Sequence, residues 1–271
     1  MLGFGGTDKP TDPGEFRLKL LAQDVVEIVD KENPQPARAV AIAHDWGSVV
    51  LSRIAMYHPT RFVAYAWLAF GFLPPTPATG PIDLEVALAW LKQTVGVELY
   101  AYQDFLLKPE AAKLMETNID SLIDMSFPEK AEHWQETMTT RGGMEDWITN
   151  NKRGPRASWL TEEYVQEYSQ NLLRGGFDSP LNYYRCFMGP WNIDDENKLV
   201  ETLETFSIDQ PVFFGPALRD YVGLPSIQTP PTQAVANDLT IVEFDTGHWV
   251  YLELPDKVNE ALDAWLSSKG L

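Results

Sequence analysis

The stretch that most narrows the fold lies near the start of the chain. Residues 37–43 read as a short apolar run of the kind shown by a strand buried on both faces, followed directly by His44-Asp45-Trp46-Gly47. Beyond that turn, residues 48–57 carry apolar side chains on more than one face and stop at His58-Pro59, as a helix packed under a sheet does. A helical pattern through Phe16, Leu18, Leu21, Val25, Val26 and Val29 comes before it, and residues 62–70 are a second buried-strand candidate. Helix, strand, sharp turn, helix, strand is the order a parallel sheet requires, because parallel neighbours need crossover helices.

The rest of the chain continues the pattern after an interruption. Residues 1–14 are a Gly- and Pro-rich loop, and residues 71–81 hold Pro74, Pro75, Pro77 and Pro81, a stiff exit from the sheet. From 82 to 190 helical patterns and aromatics dominate with no strand-like run. Strand signals return at 212–214, after a helical stretch at 196–206, and again at 239–244, before a closing amphipathic helix at 254–266. The expected fold is α/β, with about four parallel strands and flanking helices; residues 1–75 and 191–271 form the core and residues 76–190 an inserted helical cap. At 271 residues and 44% apolar, the chain can bury such a core.

A formal charge of −18 repels phosphate backbones and anionic lipid, which argues against nucleic-acid or membrane-surface binding. The single cysteine, Cys186, cannot form an internal disulfide and reads as a buried thiol. The opening residues have no basic, apolar leader pattern, and no stretch reaches the ~18 apolar residues of a membrane span, so the expected location is the cytoplasm. Phosphate-binding loops, dinucleotide fingerprints and His/Cys clusters of metal-ligand spacing are missing, so no cofactor and no metal is expected.

Three residues carry the chemistry. Ala43-x-Asp45-x-Gly47, between a strand and a helix, matches a nucleophile elbow with Asp in place of Ser, small residues flanking the strained turn. His248, in Asp245-Thr246-Gly247-His248-Trp249, follows the last strand, and Asp220, in Arg219-Asp220-Tyr221, follows the strand at 212–214. Loops after strand carboxyl ends share one edge of an open α/β sheet, so all three meet there by topology. Bland alternatives exist: Asp45 as a helix N-cap, His248 as a packed loop histidine, Asp220 as a turn former. Two rival acids are weaker, since Asp209 precedes its strand and Asp245 lies only three residues from His248.

His44-Asp45-Trp46-Gly47, the opening Gly3-Phe4-Gly5-Gly6-Thr7-Asp8-Lys9-Pro10 and the closing Gly247-His248-Trp249 together resemble the epoxide hydrolases of the α/β-hydrolase superfamily, over nearly the whole chain. Ala101-Tyr102-Gln103 and Leu181-Asn182-Tyr183-Tyr184-Arg185 resemble the segments where that family places two epoxide-binding tyrosines, which makes the pair Tyr102 and Tyr184, with Tyr183 the alternative one register away. The resemblance implies that Asp45 attacks the epoxide and forms an ester while the tyrosines protonate the leaving alkoxide. His248, oriented by Asp220, then activates water against the ester, and the Trp46 backbone N–H holds the oxyanion. The partners implied are a small hydrophobic epoxide and water.

The same resemblance implies that the chain begins inside the fold, after four strands and the His-Gly-x-Pro loop that completes the oxyanion hole. No His-Gly-x-Pro occurs here, and losing one oxyanion donor costs about 10²–10³ in rate. The strand carrying Asp45 would then be an exposed apolar edge, open to self-association. Two other readings compete: a haloalkane dehalogenase, which shares Asp followed by Trp but needs no tyrosine proton donor, and a non-catalytic binding protein that keeps the hydrolase pocket.

Overall fold

The computed structural model describes residues 1–32 and 39–271. By contacts the chain divides into two compact units, one of residues 18–79 and 192–271 and one of residues 1–17 and 80–191.

The first unit is α/β. Helix α1 (Leu18–Glu32) buries Leu18, Leu21, Ala22 and Val26, the spacing of one helical face. Strand β1 (Val40–His44) leads into α2 (Trp46–Tyr57), against which α1 packs, and β2 (Ala64–Leu68) follows. Positions 37 and 38, the start of the expected first strand, lie outside the described residues. The chain leaves this unit at Thr79 and re-enters at Asn192. The interval holds eight helices among the described residues: α3 (Leu84–Val95), α4 (Gln103–Leu106), α5 (Ala111–Thr117), α6 (Ile119–Ser126), α7 (His133–Thr137), α8 (Gly143–Thr149), α9 (Glu162–Gly175) and α10 (Asn182–Met188). The α/β unit then resumes with α11 (Ile193–Leu203), β3 (Val212–Gly215), α12 (Pro225–Val235), β4 (Leu239–Ile241), α13 (Val250–Glu253) and α14 (Pro255–Ser268).

The four strands among the described residues are all parallel, in the order β1-β2-β3-β4. Strands β2 and β3 are buried along their whole length. On one face, Ala64, Ala66, Leu68 and Phe213 share a core with Val258, Leu262 and Trp265 of α14, each large side chain contributing roughly 1.5–3 kcal/mol by leaving water. Strand β1, whose apolar run alone reads as buried on both faces, lies instead at the sheet edge that the resemblance implied: none of its residues is fully buried, and Ile42 is 50% exposed. An edge strand has a neighbour on one side only, so its apolar sequence is not matched by its burial.

The second unit is helical, and residues 1–17 group with it rather than with the sheet. Phe16 packs edge-on against Tyr183 with ring centroids 5.0 Å apart, while Ser179 Oγ and Asn182 Nδ2 both donate to the Pro10 carbonyl. Those contacts join positions more than 160 residues apart, which no local pattern encodes. Among the described residues no helix is long and apolar enough to cross a membrane.

Candidate active site

The parallel order brings the carboxyl ends of β1, β2 and β3 to one edge, and the site is built there. Asp45 links β1 to α2 with φ 51° and ψ −123°, a backbone setting that costs a non-glycine residue about 1–3 kcal/mol. Its side chain makes no capping hydrogen bond to α2, so the N-cap alternative fails; its carbonyl instead accepts from the N–H groups of Ser48 and Val49. The carboxylate is left 36% exposed. Crowding at the turn is milder than the sequence pattern implied, since a Cβ on Gly47 would lie 3.6 Å from that of Ala43, an ordinary contact. Trp46 opens the first turn of α2, where backbone N–H groups point away from the helix.

His248 follows β4. Its Nδ1 is 2.8 Å from Asp220 Oδ2, and its Nε2 is 3.6 Å from Asp45 Oδ2. Asp220 is fully buried and its other oxygen accepts from the Val222 N–H at 2.9 Å. Because a carboxylate only accepts, Nδ1 carries the proton and Nε2 is turned toward Asp45. Carboxylate, imidazole and carboxylate thus stand in one line. The rivals are occupied elsewhere: Asp245 is 79% exposed and accepts from Arg219 Nε, and Asp209 accepts from Asn237 Nδ2.

The ionisation of the line follows from its geometry. Burial alone would raise the Asp220 carboxyl, but the charge and hydrogen bond of His248, with the N–H groups of Gly223 and Val222, hold it below the ordinary carboxylate range. Burial alone would lower His248, yet Asp220 and Asp45 outweigh it and raise the imidazole above its usual value. Glycine is required beside them, because a Cβ on Gly223 would fall 2.5 Å from Asp220 Oδ2.

Two contributors escaped the sequence reading. His44, the residue before Asp45, has its ring 4.5 Å from that of His248 and its Nε2 2.9 Å from the His248 carbonyl oxygen. Phe70, past the end of β2, stands edge-on to the His248 ring at 6.1 Å. The loop carrying it is tied to α12, Gly71 N–H donating to Gln228 Oε1 and Phe72 N–H to Thr232 Oγ1. Adjacency to Asp45 was the one available signal for His44, and the orientation of its ring depends on a loop some 200 positions away.

In the helical unit, Tyr102 at the start of α4 and Tyr184 on α10 face each other edge-on, ring centroids 6.0 Å apart at 87°. Tyr183, the alternative, is buried against Phe4 and Phe16 and belongs to the core of that unit. The next-door residues point to different surroundings because successive positions on a helix are about 100° apart.

A parallel sheet with a strained strand-to-helix turn at an acidic residue, and an acid and a histidine delivered in that order from later strands, defines an α/β-hydrolase fold. Comparison with known proteins finds epoxide hydrolases of that fold to which the chain is similar. No family model matches it. The chain is 26% identical over 276 residues to the bifunctional epoxide hydrolase 2 of Rattus norvegicus, covering 99% of this chain and 46% of that protein. It is 25% identical to epoxide hydrolase A of Mycobacterium tuberculosis, covering 99% of this chain and 80% of the other. Among solved structures, epoxide hydrolase A from Mycobacterium thermoresistibile matches with a TM-score of 0.73 and 27% identity, over 98% of this chain and 80% of that one. An epoxide hydrolase from an endophytic Streptomyces matches with a TM-score of 0.78 at 22% identity, over 98% and 78%, a likeness of fold. The chain spans about half the length of the mammalian bifunctional relatives, at 46% of the rat protein. It is an α/β-hydrolase-fold protein whose relatives are epoxide hydrolases.

Proposed function

We propose that this protein is a hydrolase that opens a small hydrophobic epoxide to a vicinal diol through an ester on Asp45. The observation that carries the reading is the line Asp45, His248, Asp220, at 3.6 and 2.8 Å, with the one exposed carboxylate at its outer end. A carboxylate oxygen of Asp45 attacks a ring carbon, the carbon–oxygen bond breaks, and the electron pair stays on the former epoxide oxygen. By family resemblance Tyr102 and Tyr184 donate to that oxygen and supply its proton. Water then attacks the ester carbonyl while His248 Nε2 takes the water's proton, the Trp46 N–H stabilises the oxyanion, and collapse releases the diol and restores Asp45.

Charge favours the second step once the first is done. In the free protein Asp220 first, and Asp45 after it, raise His248 above its usual value. Esterification neutralises Asp45 and removes its share, so the imidazole is more often unprotonated, and ready to accept a proton, when there is an ester to hydrolyse.

The test is to follow diol formation from styrene oxide, with intact-protein mass spectrometry, beside Asp45→Ala. Diol or a stoichiometric adduct that vanishes in the variant supports the reading. Folded protein that yields neither overturns it in favour of a non-catalytic binding protein, and halide release from a haloalkane in place of diol would favour the dehalogenase.

A further inference from the structure

We propose that His44 is a positioning residue for the base: its imidazole latches the loop carrying His248 to the strand that ends at Asp45, and so sets the separation of base and nucleophile. The proposal rests on the epoxide-hydrolysis reading above.

The need for a latch comes from the sheet order. His248 follows β4, at one edge, while Asp45 follows β1, at the other. After β4 the chain runs beside the extension of β3, with Val242 N–H donating to the Phe214 carbonyl, Phe244 N–H to Pro216 and Arg219 N–H to Thr246. Strand β2 separates β3 from β1, so at ~4.8 Å per strand the base must be carried roughly 10 Å further to reach Asp45. Two of the ties beyond Thr246 do not reach β1: His248 Nδ1 is held by Asp220, next to β3, and the Gly247 N–H by Glu253, on the helix that follows.

His44 supplies the connection on the β1 side. Its Nε2 lies 2.9 Å from the carbonyl oxygen of His248 itself, and its ring contacts those of His248, Trp249 and Tyr251 at centroid distances of 4.5, 5.4 and 5.1 Å. Burial, reinforced by the neighbouring His248 charge, brings its pKa down to about 4 despite Asp45, so near neutrality the ring is uncharged. A carbonyl can only accept, so the single ring proton sits on Nε2 and the tautomer is fixed. His44 therefore adds a directed hydrogen bond and ring packing beside Asp45 without adding charge. The nucleophile and the base are joined through residues adjacent to, or identical with, themselves.

Ring opening uses Asp45 and the two tyrosines without the base, whereas ester hydrolysis needs His248 aligned on a water. His44→Phe, which keeps the ring volume and removes the donor, should leave adduct formation within about twofold and slow ester decay roughly 10- to 100-fold, the scale of an ångström-sized misplacement. His44→Gln keeps an amide N–H near the Nε2 position and should restore decay to within a few-fold. Amide hydrogen exchange at residues 246–249 should be about tenfold faster in His44→Phe and close to wild type in His44→Gln. If the Phe variant does not fold, His44→Asn, whose amide is too short to span the gap, takes its place. Unchanged ester decay, equal slowing of both steps, or unchanged exchange overturns the proposal. Should the wild-type protein give neither adduct nor diol, the epoxide reading falls, and the exchange comparison alone then decides the latch.

Discussion

Asp220 and Asp245 both precede the same histidine in sequence, yet burial separates their roles. Asp220 is buried and tied to His248, whereas Asp245 is mostly in solvent with Arg219. Asp220→Asn should lower the rate of ester decay roughly 10³- to 10⁴-fold by disturbing the tautomer that faces Asp45, while Asp245→Asn should leave it within about twofold; single-turnover decay of the trapped adduct separates the two. The pH dependence follows from the same residues. His248 is raised above its usual value in the free protein, and one of the causes is the Asp45 charge. Ester decay should therefore rise with pH through a midpoint lower than the His248 midpoint of the free protein. Asp45→Asn should lower the His248 midpoint in the same direction, read from the imidazole signals by NMR; an unmoved midpoint would refute the coupling.

At the scale of elements, the turn after β3 and the free side of β1 are two points where one substitution has a readable effect. Gly223→Ala would press a methyl group to within 2.5 Å of Asp220 Oδ2, and the expected cost is about 1–3 kcal/mol of stability with a matching fall in Tm by calorimetry. Strand β1 ends the sheet with Ile42 half in solvent. Edge strands of that kind template pairing, so sedimentation velocity should show association that grows with concentration and weakens in Ile42→Lys; equal behaviour of the two proteins would remove the edge from consideration. Strands β2 and β3 and helix α1 of the α/β unit were legible in sequence because β2 and β3 are buried on both faces and α1 on one, which leaves a local imprint of apolar spacing, whereas α12, with Pro230 and Pro231 inside it, went unread. That Asp45, Asp220 and His248 come together at one edge of the sheet was legible because loop position along a parallel sheet is fixed by topology. The turn of the His44 ring was not, because it depends on what lies alongside in space, and the partial exposure of β1 was read from the resemblance rather than from its own apolar run.

At the scale of the molecule, two units are threaded by one chain that passes between them three times, after residues 17, 79 and 191. Each unit closes its own side of the junctions. In the helical unit Trp191 packs on Gly14, and in the α/β unit the Leu18 N–H donates to Asn192 Oδ1 at 2.9 Å. The grouping of residues 1–17 with the helices was hidden from the sequence, where a Gly- and Pro-rich opening reads only as a loop. It matters for anyone who would treat residues 80–191 as a cassette. A graft that exchanges that interval alone would strand Phe16 without Tyr183 and the Pro10 carbonyl without its two donors. The transferable module is discontinuous, and a chimaera meant to inherit another helical unit has to inherit the opening seventeen residues along with it.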